Sequence, residues 1–313
     1  MKKFLMFILS LRHRLTTAGT DFTQMWVTSD GKRRKKLQDI MHSIADKTLA
    51  AEFSEFDNEP EAKSNNPVLQ YYDLSLQRLL NDIPKTEVKP GTVMIWYLYN
   101  MGFVIKTPCC CFGVDIHHRH AVKLEPLLDF VATTHAHDDH YNPELLQKMI
   151  EKGKNSVSNF FPAKGYTQAA PFTHEFNGVV IHCGESDHNS KLPKFTMPME
   201  IICRTGDKQF VFFTSGDTSD HNFLQKQSDA IDLYAVHPRC IMSASDAAER
   251  LNAKVTFIVH LYEMAHEYNR WRWSFNDGRD EVEKFRQQGM TAYVPVWGEK
   301  FLWDGEKLNF CRK

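Results

Sequence analysis

The sequence has no long apolar run: no stretch of its 313 residues approaches the ~20 consecutive apolar residues of a membrane-spanning helix. It has no charge excess. Thirty-eight Lys and Arg against 39 Asp and Glu leave a net charge of −1, which argues against both a disordered chain and a strongly nucleic-acid-binding one. Glycine (15) and proline (13) are too few for a collagen-like chain. No Cys-x-x-Cys pair occurs, so a cysteine zinc knuckle is not expected. Seven cysteines, three of them consecutive at Cys109–Cys111, make a poor disulfide framework and suit a reducing cytoplasm. Lys2 and Lys3 before the apolar run Phe4–Leu11 resemble a minimal signal-peptide core. Arg12-His13-Arg14 follows at once and no small-residue cleavage site is evident, so a cytoplasmic protein is the expectation and a cleaved signal stays open.

What the chain does have is a 42% hydrophobic content, enough for a large core, and 15 histidines, several packed into short stretches. The first 50 residues hold ten Lys/Arg and four Asp/Glu, a net of +6, mostly from Lys32-Arg33-Arg34-Lys35-Lys36; the remainder carries −7. That run reads as the solvated start of a helix. Helical apolar spacing predicts helices over 35–53 (Leu37, Ile40, Met41, Ile44) and 67–83 (Leu69, Tyr72, Leu76, Leu79, Leu80), joined by the acidic connector Glu52–Asn66. Residues 1–88 are therefore expected to form a helical N-terminal extension, a lid or a homo-oligomer contact, and residues 89–313 a catalytic domain.

From Gly91 the texture becomes mixed α/β. Strands are predicted at 93–98, 103–105, 109–116, 127–132, 179–181, 200–203, 210–214, 233–236, 255–259 and 292–296, and helices at 142–152, 243–251 and 279–288. The three consecutive cysteines are expected to pack within their strand as small hydrophobes.

The densest chemistry lies in His135-Ala136-His137-Asp138-Asp139-His140, after the apolar run Leu127–Ala132. Three histidines and two carboxylates in six residues would be costly to bury as plain structure. Neutral imidazoles with a carboxylate are good ligands for zinc and its neighbours in the divalent series. On an extended backbone His135 and His137 point to the same side, while Asp139 and His140 fall on the turn into the next helix and can face a second ion.

This His-x-His-x-Asp-His pattern after a buried strand resembles the signature of the metallo-β-lactamase superfamily. Its other motifs follow in order: Asp115 after Cys111–Val114, His188 beyond Val179–Ile181, Asp217 in Ser215-Gly216-Asp217-Thr218, and His260 at the end of Val255–Val259. The resemblance covers about residues 91–308 and implies a four-layer αββα sandwich. It implies that His135, His137 and His188 hold one ion, that Asp139, His140 and His260 hold the other, and that Asp217 bridges them, with Asp115 orienting the ligands from behind. His182 competes with His188 but sits inside a strand, and His266 competes with His260 but lies six residues past the strand end.

Such a site implies a metal-bridging hydroxide, with Asp139 orienting it and relaying its proton. An all-histidine pair at 135 and 137 resembles the hydrolase branches, because the diiron oxidoreductase branch usually carries Glu where this chain has His137. Two zinc ions are the first choice and manganese the second. The expected substrate is a small, anionic ester, lactone or phosphodiester. The stretch Asp232–Leu251 resembles the branch containing the ascorbate-phosphate lactonase and the phospholipase-D-like phosphodiesterases. His117, His118, Arg119, His237, Tyr262 and Trp271 are expected around the substrate pocket, with His120, Tyr268, Arg270, Arg272 and Trp273 nearby in the same segments. An RNA-processing nuclease, a diiron oxidoreductase and a non-catalytic metabolite-binding relative remain as alternatives. Neutral charge weighs against nucleic acid.

Overall fold

The computed structural model describes residues 31–45, 47–48, 53, 67–161, 170–268 and 271–311. The apolar run Phe4–Leu11 with its basic flanks, Arg270 and most of the acidic connector lie outside them, and of Tyr268 only the backbone is described. No described helix is long and apolar enough to cross a membrane.

Seven-residue β1 (Val93–Tyr99) is buried along its whole length, so alternate side chains enter apolar surroundings on both faces. It pairs antiparallel with β2 (Gly102–Lys106) across a tight turn in which Asn100 adopts a φ of 54°. β2 pairs with β3 (Cys111–Val114), and β3 runs parallel to β4 (Phe130–Ala132), which runs parallel to β5 (Asn155–Val157). The late strands β15 (Glu299–Trp303) and β16 (Leu308–Phe310) close the other edge, giving the order β16-β15-β1-β2-β3-β4-β5. The second sheet is ordered β14-β11-β10-β9-β8-β7-β6. It is built from β6 (Phe172–Phe176), β7 (Val179–Cys183), β8 (Met199–Thr205), β9 (Lys208–Thr214), β10 (Leu233–Val236), β11 (Thr256–Ile258) and β14 (Ala292–Tyr293). The short β12 (Glu267–Tyr268) and β13 (Trp271–Arg272) pair apart from both sheets.

The two sheets meet through aromatics. Phe103 of β2 lies 5.2 Å from Phe212 of β9 and 6.3 Å from Phe257 of β11, and Phe257 lies 4.7 Å from Phe301 of β15. Helices cover the outer faces. Helix α1 (Gly31–Ala45) packs on α2 (Pro67–Asp82), and α2 on β1; α3 (Pro143–Glu151) covers β4 and β5. On the far side lie α4 (Ala244–Arg250) and α5 (Phe275–Gln287), with α5 over β11 and β14. The starts of the last three follow from side-chain caps. Asn142 accepts from Leu145 N, Ser243 from Asp246 N, and Ser274 forms a reciprocal box with Asp277. The result is the expected αββα sandwich.

Several expected boundaries move. The helix predicted over 35–53 ends at Ala45, and the one predicted to begin at 279 begins at Phe275, because Ser274 and Asp277 cap it there. The strand predicted over 109–116 shrinks to 111–114, since Thr107 accepts from the amides of Cys109 and Cys110 and bends the chain. Cys109 is accordingly exposed, whereas Cys110 and Cys111 are buried; burial pushes the Cys111 thiol up to about 12. The strand predicted over 292–296 is only two residues long. Strands β5, β6, β12, β13, β15 and β16 escaped prediction.

The N-terminal helices are not loosely appended. Tyr71 and Tyr72 of α2 lie 6.1 and 6.3 Å from the fully buried Trp297 ring, which Tyr99 approaches edge-on at 4.9 Å. Tyr71 also donates its hydroxyl to the Trp297 carbonyl at 3.0 Å. From α1, Arg34 reaches a buried ion pair with Glu299 of β15.

Candidate metal centre

Strand direction decides where the polar residues emerge. β3, β4 and β5 are parallel, as are β9, β10, β11 and β14. β7 is antiparallel to β8 and β8 to β9, so β7 runs with β9. Asp115 follows β3, the 133–140 loop follows β4, His188 follows β7, Asp217 follows β9, His237 follows β10 and His260 follows β11. All therefore leave carboxyl ends of strands, the usual location of sites in sheets of this kind.

Asp115, fully buried at a φ of 44°, accepts from Thr134 N at 2.7 Å and from Thr134 Oγ1 at 2.9 Å, and faces His140 Nδ1 at 3.3 Å. It thereby fixes the 133–140 loop from beneath and sets the His140 ring. Gly216 brings the opposite strand end against the same loop. A Cβ there would sit 2.8 Å from Thr134 Cβ, and its φ is 51°, so glycine is required on both counts.

Two groups of ligand-type atoms result, each with its members within 4.8 Å of one another: His135, His137, His188 and Asp217 in one, Asp139, His140 and His260 in the other. Asp217 faces both. Its Oδ2 lies 3.5 Å from His188 Nε2 and 3.9 Å from His135 Nε2, and its Oδ1 lies 3.3 Å from His140 Nε2 and 3.9 Å from His260 Nε2. His260 Nε2 also lies 3.0 Å from Asp139 Oδ2. Asp217 Oδ1 and His140 Nε2 are buried without a hydrogen bond, although buried polar atoms are almost always satisfied. A cation between them would satisfy both, so the residues fit a bound metal.

The electrostatics are those of a metal-free cluster. Burial pushes His135 and His137 below the usual imidazole range, which keeps them neutral and able to coordinate. Burial also works against charge on His140, but Asp217, Asp139 and Asp115 outweigh it and push its pKa well up. Burial alone would raise Asp139 and Asp217; His140 and His260 hold both well below the carboxylate range.

The competing histidines fall elsewhere. His182 on β7 contacts Thr173 Oγ1 at 3.0 Å, and His266 faces Glu263, its ring 6.4 Å from that of His260. Of the expected pocket residues, His237 is closest to the centre. Its ring stacks on His260 at 4.0 Å, and it forms a third group with Asp217 and His260. His117 turns Nε2 toward Glu263 Oε1 at 3.6 Å. His118 does not form a rim: it is fully buried and stacks on Tyr72 at 3.9 Å. Arg119 turns to the Phe53 ring and carbonyl, Tyr262 is buried with its hydroxyl on His42, and Trp271 is 71% exposed. Two residues had gone unread. Phe195 lies 5.6, 5.0 and 6.2 Å from the rings of His135, His137 and His188. Glu263 is fully buried and accepts from the Tyr99 hydroxyl at 3.1 Å. A glutamate three residues beyond a strand-end histidine was the only signal for it.

No protein-family model matches the sequence, and no curated protein does. Solved structures do. Igni18, a metallo hydrolase from the archaeon Ignicoccus hospitalis, is 18% identical with a TM-score of 0.52 over 68% of this chain and 98% of its own. CmlA, a diiron β-hydroxylase from Streptomyces venezuelae, is 12% identical with a TM-score of 0.50 over 70% of this chain and 54% of its own. The metallo-β-lactamase fold protein YhfI from Bacillus subtilis is 14% identical with a TM-score of 0.47 over 68% of this chain and 99% of its own. With two facing seven-stranded sheets, helices outside them and polar loops gathered at one strand end, the chain has a metallo-β-lactamase-like αββα sandwich, a fold it shares with Igni18.

Proposed function

We propose that the chain is a dinuclear metal-dependent hydrolase that cleaves a small ester, lactone or phosphodiester, with zinc as the first choice of metal and manganese as the second. The observation that carries this reading is Asp217, whose two oxygens face separate histidine clusters. His135, His137 and His188 would hold one ion, Asp139, His140 and His260 the other, and Asp217 both. A bound pair of divalent ions supplies a water acidified toward neutrality and polarises the attacked oxygen. The chain's own residues do the rest. Asp139 orients the attacking water and takes up its proton. Asp115 and Thr134 lock the His140 ring. Igni18 is named a metallo hydrolase, which supports the class.

Protein purified without chelator should carry about two metal equivalents by elemental analysis. It should hydrolyse generic phosphodiester or lactone substrates, lose activity on chelation and regain it with zinc. Protein that carries no metal, and binds none on titration, defeats the proposal. The likeness to CmlA supports diiron oxidation chemistry as a second reading, with His137 weighing against it. Iron in place of zinc, with dioxygen consumption, would favour that reading.

The pH dependence of metal uptake should differ between the two clusters. His140 holds a proton at neutral pH when no ion is present, and an ion must expel it. Falling pH keeps that proton on, so affinity at the Asp139–His140–His260 cluster should rise with pH through neutrality by about tenfold per unit for each proton displaced. His135 and His137, already neutral, have no proton to give up there, so the other cluster should show the shallower profile. Calorimetric titration in two buffers of different ionisation heat reads the protons released; equal, flat profiles for both ions would contradict this.

A further inference from the structure

Arg272 is a buried cation whose partners are backbone carbonyls. Only 3% exposed, it donates through Nη1 to Ala45 at 2.9 Å and Thr48 at 2.6 Å, through Nη2 to Met264 at 2.8 Å, and through Nε to Glu263 at 3.1 Å. Ala45 closes α1, so the guanidinium sits at the negative end of that helix, where its carbonyls have no partner within the helix. The other two carbonyls belong to the turn immediately beyond His260.

That turn is strained. His260 and Tyr262 have φ values of 60° and 55°, a left-handed conformation that costs a residue with a side chain of order 1–3 kcal/mol and persists only where the surroundings over-determine it. The surroundings here come from several directions. His260 N donates to the Asn100 carbonyl at 3.0 Å, and Tyr262 N to the Trp273 carbonyl at 2.8 Å. The Tyr262 hydroxyl meets His42 of α1, and the Glu263 carboxylate accepts from Tyr99. Arg272 joins the end of α1 to this turn through four bonds from a single side chain.

We propose that Arg272 is a positioning residue for the metal centre: through it, the N-terminal helix α1 holds the left-handed turn that sets His260 3.0 Å from Asp139. It touches neither the candidate ligands nor the space between them, and acts through the backbone of residues 263 and 264. The extension is on this view a working part of the second cluster. The inference rests on the dinuclear reading above, and its test separates the two.

Zinc titration of the full chain, wild type against Arg272→Gln, reads the claim, with His188→Ala and His260→Ala marking the loss of each cluster. Arg272→Gln should weaken one zinc ion about 10–100-fold, reproducing the His260→Ala pattern, and leave the other as in wild type; this is the usual size of effect for a residue supporting a ligand. Amide exchange over residues 260–264 should accelerate while that over 133–140 does not. Arg272→Lys, which keeps the buried charge with fewer bonds, should fall between, and it carries the test if the glutamine variant does not fold. Zinc binding unchanged at both clusters, or weakened equally at both, overturns the inference, because a merely structural role would not choose between them. A wild-type protein that binds neither zinc nor manganese defeats the dinuclear reading instead; exchange over 260–264 then decides alone, and an unchanged rate overturns the positioning role.

Discussion

Asp217→Ala is expected to empty both halves of the candidate centre at once. The carboxylate is 5% exposed, and each of its oxygens faces a different cluster. The first cluster would keep three histidines and no anion, and the second would keep Asp139, His140 and His260 with one carboxylate where two had faced its cation. His140 and His260 would lose the charge that lies between them. Bound metal should fall from about two equivalents to below one, and kcat/KM by roughly 10³-fold or more, the rate equivalent of about 4 kcal/mol. His188→Ala removes a ligand of one cluster only and should spare the other ion. The measurement is elemental analysis beside kinetics, with near-ultraviolet dichroism as the check on folding. Retention of both ions by Asp217→Ala would remove the main support for a shared centre.

Trp297→Ala should be the most damaging change away from the centre. The ring is fully buried and is the meeting point of Tyr71, Tyr72 and Tyr99, so truncation leaves a large cavity between α2 and the first sheet. Such truncations cost about 3–5 kcal/mol. Three aromatic contacts disappear with it, each worth about 0.5–1.5 kcal/mol beyond area burial, part of which is already counted in the cavity cost. The denaturant midpoint should fall accordingly, and amide exchange in α1 and α2 should rise before that in β9 and β10. Trp297→Phe should recover part of the loss. A midpoint within 1 kcal/mol of wild type would mean that the helices hold to the sandwich by other contacts.

The two predictions draw on parts of the molecule that were unequally legible in the sequence. The 133–140 loop could be read because three histidines and two carboxylates crowd into six positions, too many to bury idly. His188 could be preferred to His182 because a histidine within a strand turns to its sheet neighbour, and His182 does lie against Thr173. Strand-end residues such as Asp217 and His260 gain meaning only from their order along the chain. Glu263 and Arg272 gave no comparable signal. A lone buried glutamate is recognised by the Tyr99 hydroxyl, and a lone buried arginine by carbonyls at Ala45 and Thr48, all of which are remote in sequence. The same remoteness redirected His118 and Arg119, whose basic run suggested a rim but whose partners are Tyr72 and Phe53. The edge strand β16 is half-buried along its length and carries no clean alternation, whereas β15 beside it does alternate in burial but places the polar Glu299 at its first inward position.

The common strand end on which these loops emerge also has an evolutionary and engineering consequence. The hairpins and edges at the opposite end of both sheets carry none of the candidate ligands, so sequence drift there registers in folding and not at the candidate centre. Segments at the ligand-bearing end can be lengthened, shortened or exchanged to admit a different substrate while the strands stay in register. Directed libraries confined to residues 189–194 and 238–242, which leave His188, Phe195 and the Ser243 cap in place, would sample new specificities on an unaltered frame. The reverse face offers sites for tags, immobilisation or fused partners at a distance from the reacting atoms.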